Sequence, residues 1–308
     1  LANNWSQNAT NAAFGLDAVR PAAGTRDGNL QAVFNGIYGL EKTQLRTAIT
    51  QISGEAYAHA LQSLVQTERS TFGAMVQGSC DMSCSAGQGD ADESLWINYV
   101  GDYADNSADR LSSGYTNRNH GVVGGVTIVS TNKVKFGIAA SYVENKVVSQ
   151  LDAHSQSQSG AGYLYLHYLP TERLVLSTAL GVAVADNATN RTIATTAGPV
   201  MASSDRQSST VMFTAKANYL TFKTGPLSVW TNLGVQLSDT SIGRVREQAS
   251  NQAFALVMGK VDHLSGEAQV GGRVQLGFGS VEAAVMADWI YQIGENPAVS
   301  RTVELGNA

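Results

Sequence analysis

The chain has no run of 18 or more apolar residues, the length that a membrane-spanning helix requires. Charged residues are scarce at 15%, the formal net charge is only −5, and no cluster of lysine or arginine indicates nucleic-acid binding. These absences exclude a helical membrane protein and predict no nucleic-acid partner. The closed β-barrel remains as a possible membrane-spanning structure. Half of the residues in its strands are polar, so an average of hydropathy along the sequence does not detect them.

Cysteine and proline are also rare. The two cysteines, Cys80 and Cys84, stand close together in "GSCDMSC", and we expect them to form a small disulfide loop in an oxidising compartment. A metal site would need further ligands nearby, so neither a metal nor a cofactor is expected. All five prolines fall in predicted turns or loops, as strand pairing requires.

Residues 1–94 form a helical segment in this interpretation. Apolar residues recur there at helical spacing in three stretches: Leu30, Val33, Phe34 and Ile37; Leu45, Ala48, Ile49 and Ile52; and Tyr57, Leu61, Leu64, Val65, Phe72 and Val76. Ser53 is placed to cap the third helix, with the acidic Glu55 in its first turn. A bundle packed on a soluble domain would give the same stripes, so this segment alone does not decide the fold.

From Leu95 onward the apolar period changes to two, which predicts β-strands. In "TVMFTAKANYLTF", residues 210–222, Val211 and Phe213 fall on one face while Met212 and Lys216 fall on the other. Nine strands of this kind are predicted, with a weaker tenth signal in "AVSRTVELGN". Their length, about ten residues or more, fits a tilted bilayer crossing better than the usual five or six.

Short and long connections alternate between the predicted strands. "STNK", "LPTE", "KTGP" and "FGS" are tight turns, whereas 104–114, 146–157, 187–206 and 240–262 are long polar links. This asymmetry is typical of outer-membrane barrels. A soluble β-sandwich is the alternative, but its outer face would carry many Lys and Glu residues, and the polar face here is mainly Gly, Ala, Ser and Asn. We therefore predict that the apolar face meets lipid and that Lys216 points into a wet lumen.

Two stretches carry a resemblance to a known family. "ITQISGEAYAHALQSLVQTERSTF" contains a linker motif, and "LWINYVGDYADNSADRLSSGYTNRNHGVVGGVTI" forms a Trp-led strand, a loop and a glycine-containing second strand. Together they resemble the translocator domain of monomeric autotransporters, the type V secretion proteins of Gram-negative bacteria. The resemblance runs from about residue 28 to the end of the chain. Its linker motif comprises Ser53, Gly54, Glu55, Ala56 and Tyr57.

The resemblance implies an all-β transmembrane β-barrel over residues 95–308, an antiparallel meander that the family builds from twelve strands, preceded by an α-helical linker that threads the pore. It implies an outer-membrane location and an N-terminal passenger displayed on the cell surface or released from it. The implied partners are outer-membrane lipid, the passenger, the barrel-assembly machinery and periplasmic chaperones. The family ends in further strands and a terminal aromatic residue, so we expect the last strands to lie beyond Ala308.

Charged residues on the predicted inward face are candidates for lining the pore and bonding to the helix. They are Asp102, Lys135, Lys216, Glu267, Arg273, Glu282 and Asp288. Inward glycines such as Gly137 and Gly181 are expected to keep the lumen wide enough for a helix. No Ser-centred catalytic block is present, so catalytic residues and enzymatic activity are not expected. The alternatives are an outer-membrane porin or adhesin barrel without a passenger, and a soluble β-rich enzyme or lectin.

Overall fold

The helical stripes of the sequence become four helices. The structure, a computed structural model, describes residues 6–20, 28–79, 95–110, 112–278, 281–294 and 303–305. The helices are α1 (Gln7–Ala18), α2 (Gly28–Ile37), α3 (Lys42–Ile52) and α4 (Glu55–Ser79). The three predicted stripes supply the buried sides of α2, α3 and α4. The two cysteines and their expected disulfide lie outside the described residues.

The period-two region forms strands throughout. They are β1 (Leu95–Asn106), β2 (Tyr115–Ser130), β3 (Val134–Ser149), β4 (Ala153–Thr171), β5 (Leu174–Ile193), β6 (Val200–Thr224), β7 (Leu227–Ile242), β8 (Val245–Arg246), β9 (Gln248–Ala249), β10 (Leu256–Met258), β11 (Val261–Phe278), β12 (Val281–Gly294) and β13 (Val303–Leu305). Nine of them pair in the order β1-β2-β3-β4-β5-β6-β7-β11-β12, each antiparallel to its neighbour. The predicted meander is confirmed. The sheet curls as a half-barrel around α4, which contacts β1 to β5 and β7.

The two faces of the sheet differ as the sequence pattern predicts. In β6, the outward Val211 and Phe213 are 51% and 40% exposed, whereas the inward Met212 and Thr214 are buried. The other long strands also carry large exposed apolar side chains on the outer face, including Leu95, Ile97 and Tyr99 of β1 and Leu180, Val182 and Val184 of β5. These residues form a band around the outside of the sheet. We call it the apolar band.

Several strands are longer than the sequence suggests. The predicted links 146–157 and 187–206 are wrong as loops, because β3 and β4 are joined by residues 150–152 only and β5 and β6 by residues 194–199. At about 3.3 Å per residue, the 25 residues of β6 extend for roughly 80 Å, far more than a bilayer crossing needs. The polar residues in these extensions still alternate between buried and exposed, so they continue the ladder beyond the apolar band.

The long connection between β7 and β11 is structured as well. It contains β8, β9, a 3₁₀ turn (Gln252–Phe254) and β10. The tenth-strand signal near the end of the sequence corresponds to β13, which pairs with β10 in a small sheet rather than with β12. The predicted tenth strand therefore does not extend the main sheet in the described part of the chain.

Helices α1 to α3 pack against the strand extensions. Val33 and Phe34 of α2, Ala48 and Ile49 of α3, Ile193, Val200 and Phe254 belong to one buried apolar cluster. The backbone N–H of Thr196 donates to the carbonyl of Gly36 at 2.8 Å, and the N–H of Gln7 donates to the carbonyl of Arg110 at 2.8 Å. These three helices thus cover the rim of the sheet that carries connections 107–114, 150–152, 194–199 and 243–260, which we call the loop rim.

Candidate pore and its central helix

Helix α4 is enclosed on most sides by the curved sheet. Its consecutive residues Ser63, Leu64 and Val65 are all buried. Successive residues of an α-helix project about 100° apart, so an ordinary surface helix buries only one stripe. Here the buried positions also include Ser63, Thr67, Glu68 and Thr71, which indicates that the surrounding wall is polar.

Polar side chains of the wall bond directly to the middle of α4. The Asn145 side-chain amide donates to Ser63 Oγ at 2.9 Å, and the Asn119 amide donates to Thr67 Oγ1 at 3.2 Å. The Ser159 hydroxyl donates to the Glu68 carboxylate. These bonds come from β2, β3 and β4, so three neighbouring strands hold the same stretch of helix.

Two of the predicted pore-lining charges contact the helix. Glu267 of β11 forms an ion pair with Arg69, with 2.6 Å between Oε1 and Nη1 and only 20% and 15% of the two side chains exposed. Asp102 of β1 accepts a long bond of 3.5 Å from Gln66. Because β1 and β11 lie near opposite ends of the sheet, the Asp102 and Glu267 contacts hold α4 from two sides.

The other candidates make no hydrogen bond to α4 among the described residues. Asp288 accepts a bond of 2.9 Å from Asn232 across Gly271, where a Cβ would lie 1.9 Å from the Asp288 carboxylate. Lys135, Lys216 and Arg273 are partly buried and lie on β3, β6 and β11. Glu282 lies in β12 opposite Gly277, and its side chain falls outside the described part of the structure.

The C-terminal half of α4 meets an aromatic cluster. Phe72 stacks on Tyr163 at 5.6 Å between centroids, and the Trp96 indole N–H donates to the Tyr165 hydroxyl at 3.2 Å. A Cβ at Gly181 would lie 2.5 Å from the Tyr163 ring, and one at Gly137 would lie 2.3 Å from the Tyr165 ring. These glycines therefore make room for tyrosine rings that pack on the helix, rather than leaving open lumen.

The last residue of α4 reaches the rim opposite the loop rim. Ser79 Oγ lies 3.0 Å from His167 Nε2, and His167 Nδ1 lies 2.9 Å from Ser177 Oγ. His167 and Ser177 flank the tight turn between β4 and β5, residues 172–173. The other tight turns that the structure describes, 131–133 and 225–226, lie on the same rim, which we call the turn rim.

The linker motif forms the sharp bend between α3 and α4. Ser53 ends α3, where its hydroxyl donates to the carbonyl of Thr50 at 2.7 Å and accepts a long bond of 3.4 Å from the Glu55 N–H. Gly54 has a φ of +75°, a left-handed conformation that favours glycine. Its carbonyl accepts the Tyr57 N–H at 3.0 Å and so begins α4.

Glu55 holds the connection between β1 and β2. Its carboxylate accepts bonds of 2.8 Å from the hydroxyls of Ser112 and Ser113 and a short bond from the Ser113 N–H, and His59 Nε2 lies 3.4 Å away. Burial alone would raise the pKa of Glu55, but the bonds from His59, Ser113 and Ser112 together lower it. The carboxylate therefore stays ionised and fixes the loop rim to the start of α4.

Tyr57 enters a buried network on the other side of the pore. Its hydroxyl donates to Glu247 Oε1 at 2.6 Å and lies 2.8 Å from Ser204 Oγ. Arg191 binds Glu247 through two bonds of 2.5 Å, and the Arg206 guanidinium lies 4.8 Å above the Tyr57 ring. Burial and the negative charge of Glu247 raise the pKa of Tyr57, so its hydroxyl remains a donor.

A comparison of the sequence with models of known protein families identifies the family of this domain. The model of the autotransporter β-domain family matches residues 95–307, which include all the long strands. This chain belongs to the autotransporter β-domain family. The predicted resemblance is thereby confirmed.

The translocator domain of one known autotransporter has the same fold as this autotransporter β-domain. It is similar to the translocator domain of the autotransporter NalP from Neisseria meningitidis, with 9% identity over 77% of this chain and 81% of that chain and a TM-score of 0.56. It is also similar to the β-domain of the Bordetella autotransporter BrkA, with 13% identity over 69% of this chain and 94% of that chain and a TM-score of 0.39. A comparison with curated protein sequences found no relative.

Membership in this family indicates what each face of the sheet contacts. Autotransporter β-domains are integral outer-membrane β-barrels, so the apolar band meets lipid and the inner wall forms the pore. In such barrels the short turns face the periplasm and the longer loops face the outside, which places the loop rim outside the cell. None of the described helices is long and apolar enough to cross a membrane. The residues that the structure describes include no acidic, His or Cys cluster suited to a metal ion.

Sequence reasoning missed the partners of the linker motif. Arg191, Ser204 and Glu247 lie in segments that the sequence assigns to loops, 187–206 and 240–262. Arg191 and Glu247 are separated by 56 residues, and no local pattern links them.

Proposed function

We propose that this autotransporter β-domain anchors and translocates an N-terminal passenger, with residues 95–308 as the membrane-inserted barrel and residues 1–94 as the linker. The barrel stays in the outer membrane while the linker passes through its pore. The passenger lies upstream of the linker and reaches the cell surface, where it stays attached or is released. Any enzymatic or adhesive activity belongs to the passenger, and the domain itself has no catalytic role.

The direction of α4 is the observation that carries this proposal. The helix begins at Glu55, which bonds to the β1–β2 connection at the loop rim, and ends at Ser79 near the turn rim. Its 25 residues extend for about 38 Å, enough to pass through the hydrocarbon layer. Every described residue before Glu55 thus lies on the outer side of the pore, as a surface-exposed passenger requires.

Two clamps would keep the linker in place after translocation. Near the loop rim, Glu55 and Tyr57 fix the start of α4, and in the middle Arg69 pairs with Glu267. Between these two clamps, the wall contacts α4 through uncharged polar side chains such as Asn119 and Asn145. Insertion of the barrel would need the barrel-assembly machinery, with periplasmic chaperones protecting the strands before insertion.

Surface display tests the proposal directly. An epitope fused ahead of residue 1 in the full chain should become accessible to antibody and to added protease on intact cells. The matched control carries the same epitope in the tight turn 131–133, which should stay protected until the outer membrane is permeabilised. An upstream epitope that remains protected in cells with a correctly inserted barrel would contradict translocation.

Conductance separates this proposal from a porin. In planar bilayers, the intact domain should pass little current because α4 fills the pore. Deletion of residues 30–78 should open it, whereas deletion of residues 7–18, which form α1 only, should leave it closed. A barrel that conducts equally with and without residues 30–78 would favour the porin alternative.

A further inference from the structure

Three buried asparagines form a patch on the pore wall beside the outer half of α4. Asn117 and Asn119 of β2 and Asn145 of β3 are 0%, 2% and 3% exposed. Asn119 lies directly opposite Asn145 in the ladder, and Asn117 is the next inward residue of β2 towards the loop rim. We call these three side chains the amide patch.

The amide patch has more hydrogen-bonding capacity than the helix uses. Asn119 and Asn145 each donate one bond to α4, to Thr67 and Ser63. Their side-chain oxygens, and both polar atoms of the Asn117 amide, have no partner among the described residues. A buried polar group without a partner is destabilising, so the Asn117 amide and the side-chain oxygens of Asn119 and Asn145 do not stabilise the state in which α4 fills the pore.

A polypeptide that passes through the pore carries backbone N–H and C=O groups that could bond to the unpartnered atoms of the amide patch. Inside a narrow pore its peptide groups lose water, and each unpaired N–H or C=O raises the barrier to passage. A side-chain amide carries both a donor and an acceptor and can therefore bond either group of a peptide, whatever the sequence. Serine and threonine hydroxyls could assist, but an amide reaches further from the wall.

We propose that the amide patch binds the backbone of the polypeptide during its passage through the pore. This inference rests on the translocation function proposed above. Its ligand is an extended peptide backbone of any sequence. When α4 finally enters the pore, Asn119 and Asn145 transfer one bond each to the helix, while Asn117 is left without a protein partner among the described residues.

Ordered water is the competing explanation. A cavity of about 10 Å³ lies beside Asn145, between Ala60, Ser157 and Asn187, and a space of this size holds about one water molecule. If water bridges the amide patch in the resting state, removing an amide should destabilise the domain. If the patch instead serves the moving chain, removing the amide should leave stability unchanged or increased.

The variant Asn117→Leu separates the two explanations. Leucine has a similar size, and the change removes only atoms that have no partner among the described residues. In the full chain with an upstream epitope, we expect the epitope to reach the surface about fivefold more slowly, which corresponds to the loss of one hydrogen bond. The thermal unfolding midpoint in detergent should be equal to or above that of the wild type.

Two asparagine controls calibrate the result. Asn190→Leu removes an exposed amide of β5 outside the pore and should change neither rate nor stability. Asn187→Leu removes a buried amide that bonds to Ala185 and Ser208, so it should lower the unfolding midpoint. An unchanged display rate for Asn117→Leu, or a fall in its midpoint like that of Asn187→Leu, would overturn the inference. Failure of the wild type to display the epitope would instead refute translocation itself.

Discussion

Arg191 and Glu247 form an ion pair that is almost closed to water, with side chains 1% and 0% exposed. The pair is bidentate, and Arg191 also donates to the backbone carbonyls of Gln51 and Phe254 at 2.7 and 2.9 Å. Glu247 in turn accepts the Leu256 N–H and the Tyr57 hydroxyl. Desolvated charges are stable only when all their bonds are made, so this network fixes the α3–α4 junction as one unit.

Removing the Glu247 charge should therefore open the junction. We expect Glu247→Gln to cost about 3–5 kcal/mol, because Arg191 is left buried without its counter-charge. Amide hydrogen exchange at Leu256 and Tyr57 measures this local opening free energy. The control Lys260→Gln removes a charge whose pair with Asp262 is 62% exposed on both sides, and it should have little effect. Equal exchange in Glu247→Gln and the wild type would contradict the role of the network.

Glu55 gives the loop rim a dependence on pH. Its folded pKa lies below the ordinary value of 4.5, since the bonds from His59, Ser113 and Ser112 outweigh the effect of burial. The stabilisation is therefore complete above pH 4.5 and is lost as the pH falls through the lower folded pKa.

As the pH is lowered below 4.5, the thermal unfolding midpoint of the wild type should thus fall more steeply than that of Glu55→Gln. The glutamine side chain has no proton to take up in this range. Thermal scans in detergent at a series of acidic pH values measure the difference. Two parallel profiles would show that the Glu55 contacts contribute nothing to stability in this range.

At the level of whole elements, α4 and the sheet are matched in shape by glycines beneath aromatic rings. A Cβ at Gly181 would lie 2.5 Å from Tyr163, whose ring stacks on Phe72 of α4. Gly181→Ala should push this ring towards the helix and cost about 1–3 kcal/mol, as overpacking of a close-packed core does. The matched control is Gly162→Ala, at an outward position with no atom within 4 Å of the added Cβ. Equal unfolding midpoints for the two variants would contradict the packing described.

The long strands were predictable because alternation depends on neighbouring residues alone. In β6, the order of Val211, Met212, Phe213 and Thr214 already assigns each side chain to a face. The full length of the strand was not predictable, since Ser203 to Ser209 are polar and carry no apolar alternation. The inward Ser204 and Arg206 are buried against Tyr57 of α4, which comes much earlier in the chain.

The candidate site was predictable only in part, for a similar physical reason. The linker motif was recognised from the family resemblance and the inward charges from local alternation, and Glu267 and Asp102 do contact α4. The bonding partners of these charges could not be predicted from the sequence, because residues such as Arg69 and Glu267 are separated by 198 residues. The packing of Tyr163 over Gly181 likewise depends on two adjacent strands and a helix, so no single segment encodes it.

At the scale of the whole molecule, the two faces of one sheet meet different surroundings. Lipid meets the outer apolar band, whereas a polar wall and α4 occupy the inside. Beyond the band, the extensions of β5 and β6 leave the membrane and support α1 to α3 at the loop rim. The proposed anchoring and translocation of a passenger depend on this sidedness.

The measurement that tests this sidedness most directly compares single labels at Phe213 and Lys216, three positions apart on β6. Spin labels on Phe213→Cys and Lys216→Cys in lipid bilayers report collisions with oxygen, which concentrates in lipid, and with a water-soluble nickel chelate. We predict that the label at Phe213 collides mainly with oxygen and the label at Lys216 mainly with the chelate. The reverse pattern, with Phe213 shielded from lipid and Lys216 in contact with it, would contradict the account.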